Sequence, residues 1–333
     1  MSANVSQVNG KSEAITTLTP AWWDSDKKYV ADHYLTSEEI WGDHGLLNHE
    51  YELRHLFDET GNEIEGFRRT VRKDTGITLG VGMKKGYKVI QPREALGWMD
   101  SLQNDGIMKY ASAGVLNDGA QIWVLGCIPP KDTDNAVDEV RKHILWIDDF
   151  TGSKSLLWFP CFTRVECENT ANAAKRERDC DMFKGIRHTG DMEFKLQAAR
   201  QAIIDSETAF QHYNADCRKL VETCYNADQA RKYVETLIPP PATDAKRSAT
   251  IRERKVEAIR NGMRHPSNQT GDMKGTWYQL FNAVTFAVDH GNLFSFRGSN
   301  DNKRKNNRWK SLLTGDGAAL KAQALDLALM MAG

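Results

Sequence analysis

Basic residues fall into three blocks whose composition suits the binding of a polyanion. Residues 68–100 hold eight Lys/Arg against three Asp/Glu, residues 246–264 hold seven against two, and residues 300–310 hold five against one. The first and third blocks each include an aromatic residue, Tyr87 and Trp309. Because cations bind phosphates and aromatic rings stack on bases, this combination is typical of proteins that bind single-stranded nucleic acid.

The candidate strand-binding residues form two sets. The first set lies on a predicted hairpin and the residues after it: Arg68, Arg69, Arg72, Lys73, Lys84, Lys85, Tyr87, Lys88 and Arg93. The second set is Lys303, Arg304, Lys305, Arg308 and Trp309, and Arg164 and Arg187 are further candidates. Asn169 and His188 have polar reach but can equally cap helices. Any one basic block is also typical of a solvent-exposed helix face or loop. Tyr87 and Trp309 are equally typical of aromatic residues that pack in a core. The three blocks together favour nucleic acid.

Motifs for other chemistry are missing from the sequence. The glycine cluster at residues 80–86 lacks the Lys-Ser/Thr pair of a phosphate loop, and the cysteines lack zinc spacing. We therefore expect no cofactor and no catalytic residue. Two alternatives stay open. One is a protein-binding factor, such as a phage inhibitor of host defence. The other is a metal-dependent phosphodiester enzyme built on His44, His49, Asp43 or the Asp289-His290 pair.

Charge is strongly segregated along a chain whose net charge is only −1. Residues 1–67 carry thirteen Asp/Glu and four Lys/Arg, which is the opposite of the balance in the block that follows. The sequence offers no apolar run long enough to span a bilayer, no signal peptide, and only six dispersed cysteines. These features predict a protein of a reducing compartment, the cytoplasm, with no membrane partner.

The pattern of apolar residues predicts an α+β fold, with an antiparallel sheet first and long helices after it. Alternation predicts strands at residues 67–72, 78–81 and 86–90, and Pro92 begins a helix, which gives a β-β-β-α unit. Further strands are expected at 122–127, 143–147 and 156–162, then a long heptad helix at 191–238. Residues 300–310 are expected to form a loop. The predicted domains are an acidic leader (1–65), an α+β core (66–238) and a basic helical region (242–333).

Several of these segments resemble a phage/plasmid-like protein family that is known only as a domain of unknown function. The matching stretches are residues 71–76, 79–81, 87–95, 164–170, 187–190 and 275–290, and the resemblance covers roughly residues 65–333. Two small departures are Pro92, where the family usually has Asn, and Glu168, where it has Gln.

The β-β-β-α unit with its basic hairpin also looks like the core of single-strand annealing proteins, the group that contains Redβ and RecT. That resemblance implies ATP-independent annealing of single-stranded DNA by a ring or filament of identical subunits, in phage or plasmid recombination or replication. It also implies a bacterial host cytoplasm and a phage exonuclease or single-strand-binding protein as partners. The acidic leader and the long helix are candidate subunit contacts.

Overall fold

The computed structural model describes residues 6–8, 11–17, 29–129, 140–153, 156–164, 170–171, 184–186, 188, 210–241, 246–269, 271–291, 293–296, 298–313 and 315–333. The strands are β1 (Gln7–Val8), β2 (Lys11–Ser12), β3 (Ala14–Thr17), β4 (Tyr29–Ala31), β5 (Tyr51–Phe57), β6 (Glu63–Arg72), β7 (Thr78–Lys84), β8 (Lys109–Leu116), β9 (Gln121–Ile128), β10 (Val140–Asp149), β11 (Leu156–Arg164), β12 (Thr170–Ala171) and β13 (Lys184–Ile186). The helices are α1 (Ser37–Trp41), α2 (Pro92–Asn104), α3 (210–222), α4 (Ala227–Leu237), α5 (Lys246–Arg264), α6 (Trp277–Asp289), α7 (Asp301–Leu313) and α8 (Asp316–Ala332). The predicted α+β class is confirmed.

The main sheet has eight strands in the order β12-β11-β10-β9-β8-β3-β4, and β13 also pairs with β11. Strand β11 pairs antiparallel with β12 and β13, as does β8 with β3 and β9, whereas β3 and β4 are parallel. The apolar residues of β8 and β9 are buried because α2 covers the sheet with Leu96, Met99 and Leu102, each 0% exposed. The N-terminal region takes part in this sheet, since β3 pairs with β8.

A second sheet has three antiparallel strands in the order β5-β6-β7. Its buried face packs on the turn after β10: Tyr51 stacks on Phe150 with 3.7 Å between ring centroids, and the Thr70 hydroxyl donates to the Phe150 carbonyl. Gly80 lies so close to Thr151 that a Cβ there would come within 2.5 Å of its carbonyl oxygen. The face that carries Tyr51 and Thr70 therefore fixes this sheet to the main sheet.

Two of the predicted β elements differ in the structure. The third predicted strand, at residues 86–90, is not a strand, because Lys88 donates its backbone N–H to His188 and Ile90 turns into the core. The third strand of the small sheet is instead β5, from the region predicted as a leader. Strand β8 was also absent from the sequence-based expectation.

Two helical predictions also need correction. The predicted helix at 191–238 is broken within its described part, because α3 ends at residue 222 and Asn226 begins α4 by accepting the Gln229 amide. Residues 191–209 lie outside the described residues. The predicted loop at 300–310 is helix α7, whose first turn is capped by the Asn300 carboxamide oxygen accepting from the Lys303 N–H.

The chain divides into two compact units. The first comprises residues 1–129, 143–160 and 180–206 and holds the three-stranded sheet and most of the main sheet. The second comprises residues 130–142, 161–179 and 207–333, and its core is the fully buried α6, packed on by α5 and α8. A buried ion pair joins α8 to α6, with 2.9 Å between Lys321 Nζ and Asp289 Oδ1. None of the described helices has the length and apolar character needed to cross a bilayer.

Candidate nucleic-acid interface

The arginines of β6 lie on opposite faces of the three-stranded sheet, because side chains alternate along a strand. Arg68 and Arg72 share a face with Thr70 and, across the strands, with Tyr51 and Met83. That face is largely buried: Thr70, Arg72, Tyr51 and Met83 are each at most 5% exposed. Arg69 lies on the other face. The predicted hairpin cations therefore do not form one surface.

Arg72 is a structural cation rather than a phosphate ligand. It is 1% exposed, and its guanidinium donates to both oxygens of Glu13 (2.7 and 3.1 Å) and to Asp74 (2.8 and 3.0 Å). Burial acts to raise the pKa of Glu13, but hydrogen bonds from His49 and Arg72 outweigh it and lower the pKa to about 2. The guanidinium of Arg72 is thus paired with carboxylates of the protein itself.

The outer face of the sheet combines cations with exposed apolar side chains. Phe67 lies opposite Lys84, and Arg69 lies opposite Arg54 on one side and Val81 on the other. Phe67 is 39% and Val81 is 63% exposed. We call these five residues the outer face. The register thereby places one aromatic ring of the central strand, Phe67, on the same face as the cations Arg54, Arg69 and Lys84.

A bulge in β7 is what brings Val81 and Lys84 to the same face. Residues three apart on a regular strand point to opposite sides. Gly82, with a φ of +81°, is the extra residue between the pairs Arg69↔Val81 and Arg68↔Met83, and it shifts the register by one. Only glycine adopts this φ without strain, so the glycine spacing in β7 positions the cation beside Phe67.

Several cations on and beside the outer face have no acidic partner. Within the described chain, no carboxylate lies within ion-pair distance of Arg69, Lys84 or Lys85. Arg69 is held in place by donating from Nη1 to the Thr78 hydroxyl at 3.1 Å. Arg54 differs, because its Nε donates to Glu52. Lys84 and Lys85 are exposed and Arg69 is half-buried, so an external anion can reach the two lysines most readily.

Exposed apolar side chains are concentrated on the same sheet. Of the eight large apolar side chains exposed in the described part of the chain, five belong to this sheet or to its β6–β7 turn: Phe57, Ile64, Phe67, Ile77 and Val81. Such clustering on one element marks an interaction surface, whereas isolated exposed apolar residues are ordinary.

Three other predicted cations lie close to acidic residues. Arg68 Nη1 lies 3.1 Å from Glu63, Lys73 is paired with Glu50, and Arg93 Nη1 lies 3.7 Å from Asp43. Most of the side chains in these three pairs are at least one-third exposed, and ion pairs exposed to water contribute little to stability. They are less available to phosphates than Arg69, Lys84 and Lys85.

Tyr87 and His188 hold the segment after β7 against the core. Their rings stack with 5.0 Å between centroids, and His188 Nε2 lies 2.8 Å from Oδ1 of the buried Asp148. Burial acts to lower the pKa of His188, but the hydrogen bond and charge of Asp148 outweigh it and raise the pKa. Burial, then Asp148 and Asp149, raise the pKa of the Tyr87 hydroxyl. Tyr87 is thus a packing residue. It anchors the segment after β7, in which the side chain of Lys88 is exposed.

The second predicted set lies on α7 in the second unit. Lys303 and Arg304 are exposed, and Arg304 pairs with Asp301 at 2.8 Å. Arg308 is partly buried and donates to the Asp289 carbonyl; burial lowers its pKa. The side chains of Lys305, Trp309 and Arg164 lie outside the described residues, as do Arg187 and Asn169 entirely.

Residues of the alternative metal-dependent enzyme have other partners in the structure. His49 contacts Glu13 and Arg72, and Asp289 pairs with Lys321. Across the described ranges, no group of three or more His, Cys, Asp or Glu is placed to hold a metal ion. Asp43 is exposed and lies near Arg93.

Comparison with known protein families assigns the chain to one family. A family model described as "Domain of unknown function (DUF932)" matches residues 79–313, more than two thirds of the chain. The chain belongs to the DUF932 family. No curated protein and no solved structure matches it significantly. The DUF932 match begins within β7 and includes Val81, Lys84 and Lys85 of the site, whereas Arg54, Phe67 and Arg69 precede it.

Sequence reasoning missed three members of the outer face: Arg54, Phe67 and Val81. Arg54 lies in the region predicted as a leader, and Val81 was assigned only to a strand. Phe67 is separated from Arg69 by one residue, and this alternation is the sequence signal that places both on one face.

Proposed function

We propose that this protein binds single-stranded DNA on its outer face and promotes annealing of complementary strands without ATP. The observation that carries the proposal is the exposed Phe67 ring on the central strand, next to Lys84 and Arg69. A base stacks on an exposed ring whatever its identity, while neighbouring cations bind the phosphates on either side. The arrangement therefore suits sequence-independent binding of a strand whose bases remain accessible.

The setting of this activity is part of the same proposal. The resemblance to phage/plasmid-like proteins and to the Redβ and RecT group supports a role in recombination or replication of a phage or plasmid in bacterial cytoplasm. It also supports assembly into a ring or filament, with an exonuclease or a single-strand-binding protein as partner. These expectations rest on resemblance, and the outer face supports only the DNA-binding step.

The test is equilibrium binding of fluorescent single-stranded and duplex oligonucleotides across a salt series. We expect preference for the single strand and an affinity that falls steeply with salt, because each phosphate contact contributes about 0.7 to the log–log slope. The R69Q/K84Q/K85Q variant should bind more weakly, with a slope smaller by about 2. K73Q is the matched control, because Lys73 is already paired with Glu50.

Other outcomes would select the alternatives. Absence of DNA binding at low salt would contradict the proposal and assign the exposed apolar and basic residues to a protein partner. Cleavage of the oligonucleotide that depends on Mg²⁺ or Mn²⁺ would instead favour a phosphodiester enzyme.

A further inference from the structure

The exposed side of α5, in the second unit, carries a stripe of cations. Lys246, Arg247, Arg254, Arg260 and Arg264 are exposed along its 19 residues. Two acidic residues, Glu253 and Glu257, lie on the same side. The helix rises about 1.5 Å per residue, so the stripe extends over about 27 Å. That length matches several nucleotides of an extended strand.

Ion pairing leaves most of this charge uncompensated. Glu257 is shared by Arg260 at 3.2 Å and Arg264 at 3.4 Å. Lys246, Arg247 and Arg254 have no carboxylate within ion-pair distance among the residues that the structure describes. The other two basic residues of α5 serve packing instead, since Arg252 donates to the Ile238 carbonyl and Lys255 lies over the Phe294 ring.

Two of these cations lie at the N-terminal end of the helix. Lys246 and Arg247 lie in the first turn of α5, which contains no acidic residue. Cations near the N-terminal end of a helix do not gain from the helix dipole. A bound phosphate would pair with both side chains by charge-assisted hydrogen bonds.

An exposed apolar residue interrupts the stripe. Ile251 is 40% exposed and lies four residues after Arg247 and three before Arg254, on the same side of the helix. Cations that flank an apolar contact can hold the phosphates of a strand while a base or sugar packs between them. The surface thus repeats, on a helix, the chemistry of the outer face.

We propose that α5 is a second nucleic-acid site, which holds a second single strand by its phosphates. The inference rests on the proposed function, because annealing needs two strands and the outer face accounts for only one. Each unit then contributes one strand site. We expect the α5 site to be sequence-independent, since contacts of cations with phosphates carry no sequence information.

The test counts strands bound per chain with a fluorescent oligo-dT of about 6 nucleotides, which is short enough to occupy one site and cannot pair with itself. The full-length protein should bind two strands per chain at low salt. The K246Q/R247Q/R254Q variant should bind one, with the first strand's affinity within about twofold of the wild type. The R69Q/K84Q/K85Q variant should also bind one, and the combined variant should lose both.

A charge-matched control separates site loss from a general loss of positive charge. Lys219, Lys232 and Lys274 are exposed in the same unit, and K219Q/K232Q/K274Q removes the same charge from other elements. It should still bind two strands. Equal stoichiometry in the α5 variant and the wild type, or equal loss in the control, would overturn the inference while the proposed function stands. A wild type that binds no strand would overturn both.

Discussion

At the residue scale, the face on which an arginine lies decides its role. Arg69 and Arg72 are three positions apart on one strand, yet Arg72 is buried against Glu13 and Arg69 lies on the outer face without a carboxylate partner in the described chain. A sequence shows both as members of one basic block. Only the packing of the sheet separates the cation that stabilises the fold from the cation that we propose binds DNA.

Replacement of Phe67 tests the stacking role. F67A should weaken single-strand binding by about 1–3 kcal/mol, the usual contribution of one stacked base, while F67W should retain it. Because the ring is 39% exposed, F67A also removes some buried apolar surface, so affinity is compared where both variants are folded by circular dichroism. Y34A is the control, because Tyr34 is an equally exposed ring elsewhere in the same unit. Unchanged affinity in F67A would show that bases do not stack there.

The buried Glu13 carboxylate predicts an acid-dependent loss of stability. Its pKa is lowered to about 2 from an ordinary 4.5, so it stabilises the fold above pH 4.5 and this contribution is lost as pH falls toward 2. The full shift corresponds to about 3 kcal/mol. Urea unfolding between pH 4.5 and 2 should show that the free energy of unfolding falls more steeply for the wild type than for E13Q. Parallel curves would contradict the assigned ion pair.

At the element scale, the sequence predicted the strands and helices that have a clear apolar periodicity of their own. The helix at Pro92, strands β6, β7, β9, β10 and β11, and helices α5, α6 and α8 are where alternation or helical periodicity placed them. Strand β5 was missed because residues 1–65 were assigned to a leader from their composition, although Tyr51 to Arg54 alternate between apolar and polar residues. The Asn226–Gln229 cap ends a heptad pattern that apolar spacing alone would continue.

The site was only partly predictable for the same reason. Arg69, Lys84 and Lys85 were identified from their charge alone. Their relation to Phe67 depends on strand register and on the bulge at Gly82, which the sequence does not reveal without the pairing of β6 with β7. Helix α7 was mistaken for a loop because its Asn- and Lys-rich composition resembles a loop, while its cap at Asn300 favours a helix.

The contact between His188 and Asp148 predicts a pH dependence for the segment that carries Lys88. The pKa of His188 is raised above 6.5, so its contribution to stability is full below about pH 6.5 and is lost as pH rises through the folded-state value. The unfolding free energies of wild type and H188Q should therefore differ more at acidic than at alkaline pH. A difference that grows with pH would contradict the ion pair.

At the scale of the whole molecule, acidic and basic residues are segregated along a chain whose net charge is −1. The acidic N-terminal region supplies partners such as Glu13, Glu50 and Glu52 to cations of the small sheet. Among the described residues, cations without a carboxylate partner include Lys84 and Lys85 in the first unit and Lys246, Arg247 and Arg254 in the second. A nearly neutral chain can therefore carry locally basic surfaces, and under the proposed function two of them bind DNA.

The most direct measurement of the central claim is the rate at which two complementary fluorescent oligonucleotides pair in the presence of this protein, without ATP. The account predicts that the wild type accelerates pairing, that R69Q/K84Q/K85Q and F67A lose most of this acceleration, and that K73Q retains it. Pairing no faster than that of the oligonucleotides alone, under conditions where the protein is folded, would contradict the account.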